Sequence, residues 1–152
     1  MEYDAAAGAT KFMVGTEQGR ILNYDRKGKT PQEKLKGEYA GHHGPVCALQ
    51  RNPLDPKCFL SVGDWTARIW NEDLKTPLMT TGYDGSYLTD GCWSPTRPGV
   101  FYTTKQNGQL ECWDFFYKQQ DPVVSVNVND SGIQCLTIDK EGQFLACGAR
   151  DG

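Results

Sequence analysis

Four short polar turns recur along this chain at a nearly constant interval. Gln18, Asp64, Asn107 and Asp151 stand 46, 43 and 44 residues apart, and an aromatic residue follows each of the first three six positions later, at Tyr24, Trp70 and Trp113. Between the turns lie short runs of β-branched, aromatic and small apolar residues, and no stretch carries the 3.6-residue periodicity of an amphipathic helix. Self-similarity at this period, with four short strands per unit, belongs to an all-β propeller and to no helical solenoid.

Taken in order, residues 1–10, with Ala5-Ala6-Ala7-Gly8-Ala9 at their centre, read as a poorly ordered lead-in. The repeat region follows over 11–152, in blade portions of about 11–40, 41–81, 86–128 and 132–152. Prolines and Asn/Asp clusters punctuate it: Asn52-Pro53-Leu54-Asp55-Pro56, Ser94-Pro95 and Gln106-Asn107-Gly108 are turns, since proline breaks a strand ladder and Asn, Asp and Gly suit tight reversals. At about 44 residues per unit, 152 residues make about three and a half blades, whereas propellers close with typically four to eight. The expectation is therefore a piece of a longer closed propeller. Its bare strand edges invite pairing with further blades, and a stable monomer is not expected from it alone.

The second unit carries the densest pattern. Gly41-His42 precedes its first strand, Asp64 stands in its tight turn, and Trp70 ends its third strand, while the third unit ends on the dipeptide Trp113-Asp114. This is the skeleton of a WD-repeat blade. In such blades the histidine bonds to the turn aspartate, and a strand hydroxyl and the tryptophan indole complete a buried network, which must be satisfied to avoid about 1–3 kcal/mol per unpaired group. His42, Asp64 and Trp70 are assigned to that structural network. Ser61 sits one position off the usual register, so its membership is open, and the other units lack the histidine.

The same residue types, His42, Ser61 and Asp64, are those of a serine hydrolase. No Gly-x-Ser-x-Gly elbow accompanies them, so no catalytic residue is assigned and the chain is read as a non-enzyme. No phosphate-cradling glycine loop or paired-carboxylate site is present, and no cofactor is expected. The six cysteines form no C-x-x-C pair and the only histidines are His42 and His43, which leaves a metal site without ligands. Most of the cysteines lie in apolar strand segments and are expected to be buried free thiols, as suits a chain with no signal peptide and a reducing compartment. A net charge of −3 argues against nucleic acid, and no apolar run reaches membrane-spanning length.

What remains for function is the rim where the tight turns and the Gly-His turn emerge together. Gln18, His43, Trp65, Gln106 and Asn107 are the candidate partner-binding residues. Trp65 either anchors a partner or packs on the neighbouring blade. Phe115-Phe116-Tyr117 is expected to pack the hairpin between the third and fourth strands of its unit.

Four stretches together resemble one family. Val14-Gly15-Thr16-Glu17-Gln18-Gly19, Gly41-His42-His43-Gly44-Pro45-Val46, Gly63-Asp64-Trp65-Thr66-Ala67-Arg68-Ile69-Trp70 and Leu88-Thr89-Asp90-Gly91-Cys92-Trp93-Ser94-Pro95 look like the WD-repeat region of dynein intermediate chains, in particular the intermediate chain 2 type of the axonemal outer arm. The resemblance runs over about 11–148. It implies a non-catalytic subunit of a ciliary or flagellar motor in the axoneme, assembled in the cytoplasm. Its propeller would pack on the tail of a dynein heavy chain, beside a second intermediate chain. Light chains would bind through parts this chain lacks, and microtubules would be reached only through the complex. The competing expectation is a WD-repeat scaffold or adaptor of another protein assembly.

Overall fold

The computed structural model describes residues 1–3, 10–83 and 85–152. Its strands form three four-stranded antiparallel sheets and one two-stranded sheet. Sheet 1 comprises β1 (Glu2–Tyr3), β2 (Lys11–Gly15), β3 (Arg20–Asp25) and β4 (Leu35–Ala40). Sheet 2 comprises β5 (Val46–Arg51), β6 (Cys58–Gly63), β7 (Thr66–Asn71) and β8 (Met79–Thr80). Sheet 3 comprises β9 (Leu88–Trp93), β10 (Val100–Lys105), β11 (Gln109–Asp114) and β12 (Val124–Asn127), and sheet 4 comprises β13 (Ile133–Ile138) and β14 (Leu145–Ala149). Each sheet is a meander in chain order, and the first strands β1, β5, β9 and β13 run beside one another. The architecture is an open array of WD-repeat propeller blades.

Strand alternation explains how the sheets stack. Successive side chains of a strand point to opposite faces. On β6, Phe59 faces sheet 1 and joins Met13, Ile21, Tyr39 and Trp70, while Leu60 and Val62 face sheet 3 and join Ala67, Ile69, Leu88, Trp93, Phe101 and Trp113. A strand sandwiched in this way is apolar on both sides, which is why β6 reads as a nearly continuous apolar run. Polar bonds lock the stack: Gln50 Oε1 accepts the backbone N–H of Trp93 at 2.7 Å, Asn52 Nδ2 donates to Pro98 O at 2.8 Å, and Asp90 Oδ2 accepts the N–H of Leu136 at 2.8 Å.

Each of the first three sheets carries one cross-strand aromatic pair on equivalent strands. Phe12 and Tyr24, Phe59 and Trp70, and Phe101 and Trp113 are register partners. Their ring centroids lie 5.7, 6.1 and 6.0 Å apart at interplanar angles of 17°, 9° and 6°. Offset stacks of this kind add about 0.5–1.5 kcal/mol beyond their buried area.

Several expectations are corrected here. Residues 1–10 are not simply a loose lead-in, because Glu2–Tyr3 pair with Met13 and Phe12 and supply the first strand of sheet 1; residues 4–9 lie outside the described residues. A helix, α1 (Pro31–Lys34), interrupts the connection between β3 and β4. Thr30 and Glu33 form a reciprocal capping box around it, and four residues are too few to show a periodicity. Of the six cysteines, all free, only Cys92 is buried, and there burial pushes the thiol up to about 12. Cys47 and Cys135 are exposed on the innermost strands β5 and β13. In the turn after β11 only Phe115 packs on the core; Phe116 and Tyr117 are exposed, with the Phe116 ring lying against Gly99.

Candidate functional site

The register of β6 and β7 brings the second unit's polar residues together. Phe59 pairs with Trp70 and Ser61 with Arg68, so Ser61 lies two residues along from Phe59 on the face that Trp70 covers. Trp70 Nε1 donates to Ser61 Oγ at 2.8 Å, and His42 Nε2 lies 2.7 Å from the same oxygen. His42 Nδ1 lies 3.3 Å from Asp64 Oδ1. Ser61 is thus a full member of the network, against the sequence expectation that left it out of register. The signal was present in the sequence as the Phe59-x-Ser61 alternation.

The proton assignment follows from donor inventory. An indole nitrogen only donates, so Ser61 Oγ accepts from it and spends its own hydrogen on His42 Nε2; the Nδ1–H of the imidazole then donates to Asp64. The carboxylate also accepts from the backbone N–H of His43 at 2.8 Å, and from the N–H and hydroxyl of Thr66, each at 2.9 Å. Burial works against its charge, but these donors and His42 outweigh it and hold Asp64 below the usual carboxylate range. At His42, by contrast, burial prevails and lowers the imidazole pKa despite the neighbouring carboxylate, so the ring is neutral at pH 7. Asp64 sits at φ 51°, the left-handed region that Asp tolerates better than most residues.

The order Ser61–His42–Asp64 is that of a hydrolase triad, but its surroundings are not. Ser61 is fully buried, His42 and Asp64 are nearly so, and one of the two lone pairs of the Ser61 hydroxyl already accepts the Trp70 indole N–H. The arrangement welds the Gly-His turn to β6 and β7.

Sheet 3 holds an analogue that sequence reasoning missed. Trp113 Nε1 donates to Thr103 Oγ1 at 3.1 Å, Thr103 Oγ1 donates to Glu111 Oε2 at 3.5 Å, and Glu111 Oε1 pairs with Lys105 Nζ at 2.5 Å, all buried. Thr103 takes the place of Ser61, and an ion pair takes the place of the histidine and aspartate. Sheet 1 has Val14 where Ser61 would stand, two residues along from Phe12, so that position offers no hydroxyl.

The candidate partner-binding residues lie along one rim. Gly19, beside Gln18, approaches His42 O so closely that an added Cβ would stand 2.1 Å from it, and at φ 78° it occupies a conformation suited to glycine. Leu88 N–H donates to Asp64 O at 3.2 Å, and Gln106 N–H donates to Tyr87 O at 2.9 Å. These contacts run from the turn of Gln18 through His43 and Trp65 to Gln106 and Asn107. Gln18, His43, Gln106 and Asn107 are exposed. Trp65 is half-buried: its ring stacks on Tyr87 at 4.4 Å and meets Tyr83 at 5.5 Å, so it contacts the next unit while the cluster stays open to solvent. A cavity of about 140 Å³ lies beneath it, between sheets 2 and 3, with Lys105 and Glu111 in its wall.

Among the described residues no group of three or more His, Cys, Asp or Glu is placed to hold a metal ion, and no helix is long and apolar enough to cross a membrane.

Comparison with known proteins agrees with this geometry. Residues 4–151 match the family model of the dynein axonemal intermediate chain 3 WD40 domain. A dynein axonemal intermediate chain 2 from Xenopus laevis is 56% identical over 144 residues, covering 94% of this chain and 24% of the relative. Dynein intermediate chain 3, ciliary, from Heliocidaris crassispina is 53% identical over 153 residues, covering 100% and 26%. The 70 kDa intermediate chain of the flagellar outer arm of Chlamydomonas reinhardtii is 49% identical over 154 residues, covering 100% and 27%. The chain spans about a quarter of the length of these relatives.

Proposed function

The chain belongs to the WD40-domain family of the axonemal dynein intermediate chains, and from that premise we propose that it serves as a non-catalytic structural subunit of an axonemal outer-arm dynein. In this reading its blades form part of a propeller that docks on the tail of a dynein heavy chain beside a second intermediate chain, in the axoneme of a cilium or flagellum. Light chains bind elsewhere on the whole protein, and microtubules are reached through the complex. The observation that carries the reading is the identity of 49–56% with outer-arm and ciliary intermediate chains over nearly the whole chain.

The site geometry supports the non-catalytic part. The His42, Ser61 and Asp64 constellation, which has the residue types of a hydrolase, is buried and committed to holding a blade together. The rim from Gln18 through His43 and Trp65 to Gln106 and Asn107 is the proposed docking face, with Trp65 as its aromatic anchor, since partly buried aromatics dominate interface energetics.

The test is affinity capture of the full-length protein from a salt extract of ciliary axonemes, read by mass spectrometry. Recovery of a dynein heavy chain with a second intermediate chain is expected. Recovery of components of another assembly with no heavy chain would overturn the motor reading and leave a WD-repeat adaptor.

A further inference from the structure

The chain has four tryptophans, and three of them spend their indole N–H on the protein. Trp70 donates to Ser61 Oγ at 2.8 Å, Trp93 to Gln50 O at 3.2 Å and Trp113 to Thr103 Oγ1 at 3.1 Å. Trp65 differs. Among the described residues no acceptor meets its Nε1–H, and the one buried side-chain polar atom without a partner is Arg51 Nε, so the Trp65 N–H is open to solvent. The hydroxyls of Tyr83 and Tyr87, whose ring centroids lie 5.5 and 4.4 Å from that of Trp65, likewise meet no partner among the described residues, and neither does the Gln106 carboxamide.

This cluster owes its openness to its place between two complete sheets. Trp65 stands in the turn between β6 and β7, Tyr83 and Tyr87 stand in the connection from β8 to β9, and sheets 2 and 3 each have four strands. Blades added beside sheet 1 or sheet 4 do not cover it. Tyr83 is 68% exposed and Tyr87 47%, so ring surface remains beyond what their contacts with Trp65 use.

The surroundings supply no unspent charge. Asp64, next to Trp65, spends its carboxylate on His42, His43 and Thr66. In the wall of the cavity beneath, Lys105 pairs with Glu111 at 2.5 Å, and Asp121 pairs with Lys118 at 3.1 Å. The cluster therefore offers flat apolar rings and solvated hydrogen-bond donors. Its complement is a segment with flat apolar side chains and backbone carbonyls that its own structure leaves unpaired. An α-helix has spent most of its carbonyls internally, and an added strand needs a sheet edge, whereas these groups are side chains on two turns. A polyproline II segment has no internal hydrogen bonds, and aromatic-lined grooves take it at low entropic cost because it is already extended.

We propose that the rings of Trp65, Tyr83 and Tyr87 take an uncharged, proline-rich polyproline II segment of the docking partner. Its proline rings pack on the tyrosines, and one of its carbonyls accepts the Trp65 indole N–H. The inference rests on the reading of this rim as the docking face and adds the chemistry that the face recognises.

The probe is a fluorescein-labelled peptide, Pro-Pro-Ala-Pro-Pro-Ala-Pro-Pro, titrated against the full-length protein by fluorescence anisotropy. Saturable binding is expected. Replacing its prolines with glycine keeps the carbonyls but removes the rings and the preformed shape, and should weaken binding by on the order of tenfold or more. Trp65→Phe keeps an aromatic ring and removes only the N–H. It should weaken the proline peptide severalfold, on the order of one hydrogen bond, with an unchanged thermal midpoint. Absence of binding, equal binding of the glycine peptide, or full affinity in both Trp65→Phe and Tyr87→Phe would overturn the proposal. Tighter binding of an arginine-rich peptide of the same length would assign the ring faces to a cation and overturn it as well. Capture from axonemes separates this from the docking reading. A heavy chain recovered by the native protein and lost in Trp65→Ala, with no peptide binding, leaves the rim as the docking face and removes only the proline-rich partner. Peptide binding with no heavy chain recovered removes the motor reading and leaves the proline site.

Discussion

Gln50 and Trp93 are joined twice across the gap between sheets 2 and 3. The Gln50 side-chain oxygen accepts the Trp93 backbone N–H at 2.7 Å, and the Gln50 backbone oxygen accepts the Trp93 indole N–H at 3.2 Å. One side chain therefore satisfies a main-chain donor of the neighbouring blade. Gln50→Ala leaves that N–H without an acceptor in a buried setting, at a cost of about 1–3 kcal/mol. Chemical denaturation of the full-length protein should show the loss, and amide exchange should place it at β9. An unchanged Trp93 amide would mean that the clamp contributes nothing.

Asp64 and Trp65 are adjacent but separate in role. Asp64→Ala removes the acceptor for His42, for the His43 N–H and for Thr66, and places alanine at φ 51°. The expected loss is on the order of 1–3 kcal/mol or more. Trp65→Ala should leave the thermal midpoint nearly unchanged and weaken capture of the partner. A large fall in stability for Trp65→Ala would make the residue a packing element between sheets 2 and 3.

Acid should loosen the second blade before it titrates the carboxylates. The imidazole of His42 is lowered by burial, so it binds its proton less readily folded than unfolded. Stability is then present above the unfolded value of about 6.5 and declines as pH falls through it. Asp64, held low by its donors, adds a second loss at lower pH, as it is protonated. Thermal midpoints measured from pH 7.5 to 5.5 should fall for the native sequence, and the slope should flatten in His42→Asn. Equal slopes would place the titrating group elsewhere.

The Lys105–Glu111 pair offers a contrast between breaking and replacing. Both side chains are buried at 2.5 Å. Glu111→Leu alone takes a carboxylate partner from a buried ammonium and should destabilise sheet 3, whereas Lys105→Met combined with Glu111→Leu should recover part of the loss, because breaking one side of a buried pair costs more than replacing both. Denaturant midpoints of the two variants decide this. Equal destabilisation would mean that the pair, and not its burial, sustains sheet 3.

The period was legible because turn and aromatic recur at fixed offsets, and the turns at Asn52, Ser94 and Asn107 were legible from their own chemistry. Glu2–Tyr3 was not, since a two-residue strand is defined by its partner β2 and carries no pattern of its own. Membership of Ser61 depended on the register of β6 against β7, and the sequence left it open because Ser61 stands one position off the usual register of such blades. The pairing of Lys105 with Glu111 across β10 and β11 looks in sequence like two solvated charges. Exposure of Cys47 and Cys135 was hidden for the opposite reason: residue type suggested burial, while the innermost strands leave one face uncovered.

The aromatic stacks and the tight turns obey different rules. From Phe59 to Trp70 the chain reverses through two residues, Asp64 and Trp65, while from Phe101 to Trp113 it passes through one residue more, with Gly108 at φ 84° closing the turn. The ring separations are nevertheless 6.1 and 6.0 Å. An added residue is thus absorbed entirely at the rim and never transmitted to the interior. The blades behave as standard slats, and the rim can change its outline one residue at a time, acquiring or discarding a binding surface, without asking the slats to be recut.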